Sequence, residues 1–184
     1  MTHYACADLR GKYIADTIRD VPDYPSKGVV FRDITTMLAD PKALRYSIDL
    51  LHERYENYGL TQIVAVEARG FLFAAALADR LGIGITLIRK EGKLPRDAYR
   101  EEYALEYGES ALELHKDALT HRDRVVVMDD MLATGGTMSA AIDLIQKTEA
   151  TIVEAAFVAE LLYLPGRKRL AEKGISSYAM VAYD

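Results

Sequence analysis

The chain has 184 residues, half of them apolar, and a formal net charge of −5, which suits one globular domain with its own core. The acidic balance argues against a general binder of nucleic acid or anionic membrane, since those partners demand a basic face. The single cysteine, Cys6, has no partner for an intramolecular disulfide, and no apolar run approaches the length of a bilayer, so the composition predicts a soluble, cytoplasmic protein.

In chain order, the stretch DVPDYPSKGVVFRDIT fits no regular alternation and reads as a lid, part of a small hood over about residues 1–36. Asp40-Pro41 predicts a helix start, with aspartate as cap and proline in the first turn, followed by Leu44, Ile48, Leu51 and Tyr55 at helical spacing. QIVAVEARG reads as a buried strand ending in a turn, FLFAAALADRLG as a helix closed by Gly82, and IGITLIRK as a second strand. The next segment, GKLPRDAYREEYALEYGESALELH, predicts a mobile loop with a hairpin, about residues 92–110. RVVVM is a third strand, and MSAAIDLIQK a helix that places Met138, Ala141, Ile142 and Ile145 on one face. TIVEAAFVAELL and SSYAMVAY complete the strands. Strands apolar on both faces that alternate with helices predict an α/β domain, a central parallel sheet flanked by helices. In such sheets ligands bind beyond the carboxyl ends of the strands, which directs attention to EARG, RKEGK and DDMLATGGT.

The last of these has the makings of an anion cradle. Ala133, Thr134, Gly135, Gly136 and Thr137 offer successive backbone N–H groups, two hydroxyls, and glycines that permit close approach, with a helix N-terminus behind them. It is not the nucleoside triphosphate loop, because no lysine precedes Thr137 and the glycine spacing differs. Asp129 and Asp130 would repel a phosphate unless they serve ribose hydroxyls or a magnesium ion, so a sugar phosphate satisfies both halves of the motif. A bland alternative has the two aspartates merely capping a turn. The basic run from Arg89 to Arg100 suits a small polyanion, or else is an ordinary solvated loop.

VVVMDDMLATGGT resembles the phosphoribosyl-pyrophosphate (PRPP) motif of the type I phosphoribosyltransferases. With GVVFRDIT, EARGFLF, IRKEGKLP and LEYG in this order, the chain is similar to the adenine phosphoribosyltransferase family from about Asp20 to near its C-terminus. The resemblance implies the type I phosphoribosyltransferase fold with its hood and mobile catalytic loop, magnesium as cofactor, a homodimer, and transfer of the phosphoribosyl group from PRPP to adenine. It also implies roles. The loop Ala133–Thr137 holds the 5′-phosphate, Asp129 and Asp130 the ribose hydroxyls, and Arg69, Arg89, Lys90 and Lys93 the pyrophosphate. Val30, Phe31 and Arg32 meet the base with Met131 as an opposite wall, Glu106 is the catalytic-loop glutamate, and Tyr107 helps to close that loop. Lys27, where the family often has proline, and Met131, where leucine is common, depart from the pattern without removing a reactive group. Two other readings stay open at this point: an enzyme for 6-oxopurines, whose hydrogen-bond pattern is the reverse at two positions, and a PRPP-sensing regulator without catalysis.

Overall fold

The computed structural model describes residues 2–4, 9–104 and 109–184. In chain order the elements are β1 (Thr2–Tyr4), α1 (Leu9–Thr17), β2 (Arg19–Pro22), β3 (Val30–Asp33), α2 (Thr35–Ala39), α3 (Pro41–Tyr55), β4 (Gln62–Val66), α4 (Gly70–Leu81), β5 (Gly84–Lys90), β6 (Ala98–Ala104), β7 (Glu109–His115), β8 (Arg124–Leu132), α5 (Gly136–Gln146), β9 (Thr151–Leu161), α6 (Gly166–Glu172) and β10 (Ser177–Tyr183). No helix among the described residues is long and apolar enough to cross a membrane.

Eight strands form one sheet in the order β1-β10-β9-β8-β4-β5-β7-β6. The five central strands, β10 to β5, are parallel. Antiparallel β1 closes one edge, and the β6–β7 hairpin extends the other. The hood hairpin, β2 with β3, is a separate two-stranded sheet. From β4 the chain crosses to β5 on one side and then to β8, β9 and β10 on the other, so the sheet reverses its winding between β4 and β8. Loops leaving those two strands diverge to opposite faces, which opens a crevice between them.

The strand sequences explain the two cores. Along β8, Val126 and Met128 point into one apolar cluster with Ile63, Ala65, Phe73 and Leu77, while Val125 and Val127 point into another with Met138, Ile142 and Ile145. Successive side chains of a strand face opposite ways, so a run of apolar residues needs a helical layer on each side. Buried Phe73 and Leu77 each contribute roughly 1.5–3 kcal/mol by leaving water. The predicted caps are present: the Asp40 carboxylate accepts from the backbone N–H of Lys42 and of Ala43, each at 2.8 Å, and Gly82 ends α4 in the left-handed region at φ +67°.

Two boundaries differ from the sequence expectation. β8 does not stop at Met128 but continues to Leu132, because Asp129, Met131 and Leu132 pair with Phe157, Ala159 and Glu160 of β9. Asp129 and Asp130 are therefore strand residues, held by the sheet ladder, and not members of a turn. α1 is a helix inside the predicted hood, burying Ile14 and Ala15 against the core.

Candidate active site

The crevice holds a cavity of about 690 Å³ whose lining combines hood residues Val30, Phe31 and Arg32 with Arg69, Asp129, Asp130, Met131, Ala133 and Thr137. Three segments far apart in sequence meet there because β4 and β8 are neighbours and the hood folds over their carboxyl ends. Beside it, the loop from Met131 to Thr137 encloses a smaller cavity of about 80 Å³ against Asp129 and Met138. Gly135, at φ +77°, turns the chain from strand to helix, and α5 begins at Gly136. The first N–H groups of a helix have no partner within it, so this mouth suits an anion.

Arg69 reaches the site because α4 approaches β8 without a side chain between them. A Cβ on Gly70 would lie 2.6 Å from the carbonyl oxygen of Met128 and 3.1 Å from Asp129 Cα. The Arg69 Nε then lies 2.5 Å from Asp130 Oδ2, and its guanidinium 6.0 Å from the Phe31 ring centre. Asp130 itself is buried, 4% exposed. Burial, and then the charge of neighbouring Asp130, push the Asp129 carboxyl well above the usual carboxylate range. Its Oδ1 accepts from the Asp130 N–H at 2.8 Å, which lowers the cost only in part. A pair of carboxylates short of positive charge is a site that favours a cation or a substrate carrying developing positive charge.

Phe31 packs edge-on against Tyr24, with ring centres 5.2 Å apart. The Arg32 side chain pairs with Asp20 and lies over the Tyr183 ring at 4.2 Å. Val30 is exposed, and Phe31 and Arg32 are half-buried, where this strand lines the cavity.

The basic residues at the end of β5 and just beyond it are not in this cavity. Arg89 and Lys93 line a second one, about 500 Å³, with Ile85, Leu87, Leu94 and Pro95. Arg89 donates to Glu67 at 3.1 Å and to the Lys93 carbonyl at 3.2 Å, and the Lys90 N–H donates to Glu67 at 2.9 Å. The Arg89 hydrogen bond, with that N–H, holds the Glu67 carboxyl below its ordinary range. Glu67, which the sequence left without a role, thus ties the turn after β4 to the end of β5. Glu106 and Tyr107 lie outside the described residues.

The cavity also takes Leu161, Tyr163 and Leu164 from the segment after β9, and Asp184. None was foreseen. Their only sequence signal is position: Leu161 ends β9, the neighbour of β8, Tyr163 and Leu164 come just beyond it, and Asp184 follows β10.

These features define a phosphoribosyl-transferring class, and a family model described as the phosphoribosyl transferase domain matches residues 33–178. An adenine phosphoribosyltransferase of Photorhabdus laumondii is 51% identical over 172 residues, 94% of each chain. The crystal structure of adenine phosphoribosyltransferase from Thermoanaerobacter pseudethanolicus superimposes with a TM-score of 0.88 at 44% identity, covering 94% of this chain and 99% of that one. That from Saccharomyces cerevisiae, complexed with an imino-altritol bisphosphate and adenine, gives 0.87 at 33% identity, covering 94% and 98%. The chain belongs to the adenine phosphoribosyltransferase family.

Proposed function

We infer that the chain transfers the 5-phosphoribosyl group of PRPP to N9 of adenine, giving AMP and pyrophosphate in purine salvage. The observation that carries this reading is the single cavity joining the hood edge at Val30–Arg32 to the Asp129–Asp130 pair and the loop at Ala133 and Thr137. A base, a ribose and a 5′-phosphate fit these three parts in sequence. The new bond joins N9 to C1′ while the bond from C1′ to the pyrophosphate oxygen breaks, and the N9 proton leaves to an acceptor.

Ala133 to Thr137 bind the 5′-phosphate. Asp129 and Asp130 hold the ribose hydroxyls and favour the oxocarbenium character of the sugar, which is their largest contribution to rate. Arg69, released from Asp130 when PRPP binds, meets the pyrophosphate. Arg89, Lys90 and Lys93, outside this cavity, serve the pyrophosphate across the dimer interface. Val30 to Arg32 read adenine by backbone groups, a match to its N6 donor and N1 acceptor, with Phe31 and Met131 as apolar walls. Glu106 accepts the proton that N9 loses, and Tyr107 closes the loop that excludes water.

Asp129 and Asp130 would stand beside a magnesium ion carried by PRPP. Among the described residues no cluster of side chains is able to hold a metal by itself, whereas two adjacent carboxylates suit an ion that keeps its waters and its bonds to substrate phosphates. Bound there, magnesium would supply neutralising positive charge for the pyrophosphate. A homodimer fits the second cavity, where apolar Ile85, Leu87, Leu94 and Pro95 stand beside Arg89 and Lys93, so that these cations face a neighbouring copy. A monomeric mass in solution at assay concentration would count against it.

Steady-state nucleotide formation from PRPP and magnesium, with adenine, hypoxanthine, guanine and xanthine offered separately, tests the reading. A strong preference for adenine is expected. Preference for a 6-oxopurine would overturn the hood's role, and binding of PRPP without turnover of any base would overturn the activity.

A further inference from the structure

The phosphate loop rests on a second piece of backbone. Behind it lies the junction of β9 and α6, Leu164-Pro165-Gly166-Arg167, whose last two residues open α6. The Gly166 N–H donates to the Ala133 carbonyl at 3.1 Å. A Cβ on Gly166 would stand 2.4 Å from that same oxygen and 2.7 Å from Leu132 Cδ1. From the other side, a Cβ on Gly135 would meet Gly166 Cα at 3.0 Å and its oxygen at 3.2 Å. Two glycines thus let backbone touch backbone, one inside the loop and one beneath it. The turn is itself fixed by charge. Glu160, 1% exposed, accepts from Arg167 Nε at 2.8 Å and from a second guanidinium nitrogen. Glu160 is also the sheet partner of Leu132, the last residue of β8 before the loop.

We propose that Gly166, fixed in place by the Glu160–Arg167 ion pair, is a positioning residue that sets the seat of the 5′-phosphate loop. The inference rests on the reading that Ala133 to Thr137 bind that phosphate. It assigns to the β9–α6 turn a part in substrate affinity although none of Glu160, Gly166 and Arg167 lines either cavity of the site. Bringing a Gly166 Cβ from 2.4 Å to the 3.4 Å of ordinary contact needs about 1 Å of movement, and the atom in its way is loop backbone, which has no rotamer to yield. A displacement of that size at a binding group costs on the order of ten- to hundredfold.

The test compares Gly166→Ala, Arg167→Gln, Arg167→Lys and, within the loop itself, Thr137→Val. Each is assayed for KM of PRPP, KM of adenine and kcat, and for ribose 5-phosphate affinity by calorimetry. Gly166→Ala should raise the PRPP KM and the ribose 5-phosphate Kd by roughly tenfold or more, with a smaller change in kcat and adenine KM. Arg167→Gln should shift the same two constants, and Arg167→Lys should recover part of the loss. If Gly166→Ala folds and keeps both constants while Thr137→Val weakens them, the positioning role is wrong and the phosphate loop stands. If Thr137→Val also leaves both unchanged, the loop reading falls with it. Should Gly166→Ala not fold, the Arg167 pair decides: equal loss toward PRPP and adenine, or none toward either, refutes positioning.

Discussion

Replacing Asp129 by asparagine should make the protein more stable and less active. The substitution keeps the side-chain oxygen that accepts from the Asp130 N–H at 2.8 Å, and removes a half-buried charge beside another carboxylate. Because burial and Asp130 raise the Asp129 carboxyl above its unfolded value, the folded state binds the proton more tightly than the unfolded one. Its contribution to stability is therefore greatest below the ordinary carboxylate range and is lost as pH rises through the raised value. Relief of a poorly compensated buried polar group is worth about 1–3 kcal/mol, and for a chain of this size each kcal/mol moves Tm by roughly 2–4 °C. Thermal melts across pH 4 to 9 should show Tm of Asp129→Asn above the parent, by a margin that widens toward alkaline pH, while kcat/KM for PRPP falls by about 100-fold or more. A variant with the parent's Tm at all pH values, or a lower one at pH 8, would refute the electrostatic reasoning.

Three further outcomes are expected. Gly70→Ala would place a Cβ 2.6 Å from the Met128 carbonyl, so α4 must lift from β8. Stability should fall by about 1–3 kcal/mol, and kcat/KM for PRPP should fall with it as Arg69 moves; parent kinetics would show that Arg69 is not placed by this contact. Arg54→Met strands Glu154, whose carboxylate accepts from Arg54 Nε and a second guanidinium nitrogen and from the Tyr55 hydroxyl, each at 2.7 Å. Denaturant melts should record a loss of about 3 kcal/mol, largely recovered by adding Glu154→Leu, and kinetics below the transition should be unchanged. Glu106→Ala should lower kcat far more than PRPP affinity, measured by turnover and by equilibrium binding; equal losses would indicate a structural part.

The local signals in the sequence were those whose physics is local. Asp40-Pro41 and Gly82 mark helix ends because caps and left-handed termination depend on a few adjacent residues. The alternation of apolar strands and helices was enough for the parallel sheet, and VVVMDDMLATGGT for the motif at its edge. The four extra residues of β8 were hidden, since they are strand only through pairing with β9. The separation of Arg89 and Lys93 from the main cavity depends on which face of β5 turns toward Glu67, and nothing in RKEGK encodes that. Leu161, Tyr163 and Leu164 belong to the cavity through strand order, which no single stretch reveals.

The hood hairpin has its own two-stranded sheet, with no ladder to the main one. Two strands alone are marginal in water; Arg32 ties β3 to Asp20 of β2 and lies across Tyr183 of the last strand, and buried Ile18 and Ile34 root the two chain ends of the pair in the core. On the proposed roles, the phosphate loop grows from a central strand of the main sheet, whereas the segment facing the base belongs to a separate two-stranded hairpin. Affinity for sugar phosphate and choice of base therefore have independent mechanical footings, and substitutions in the hood should retune one while sparing the other. Amide exchange in β2 and β3 should accordingly be far faster than in β8, and adenine should slow it more than ribose 5-phosphate does.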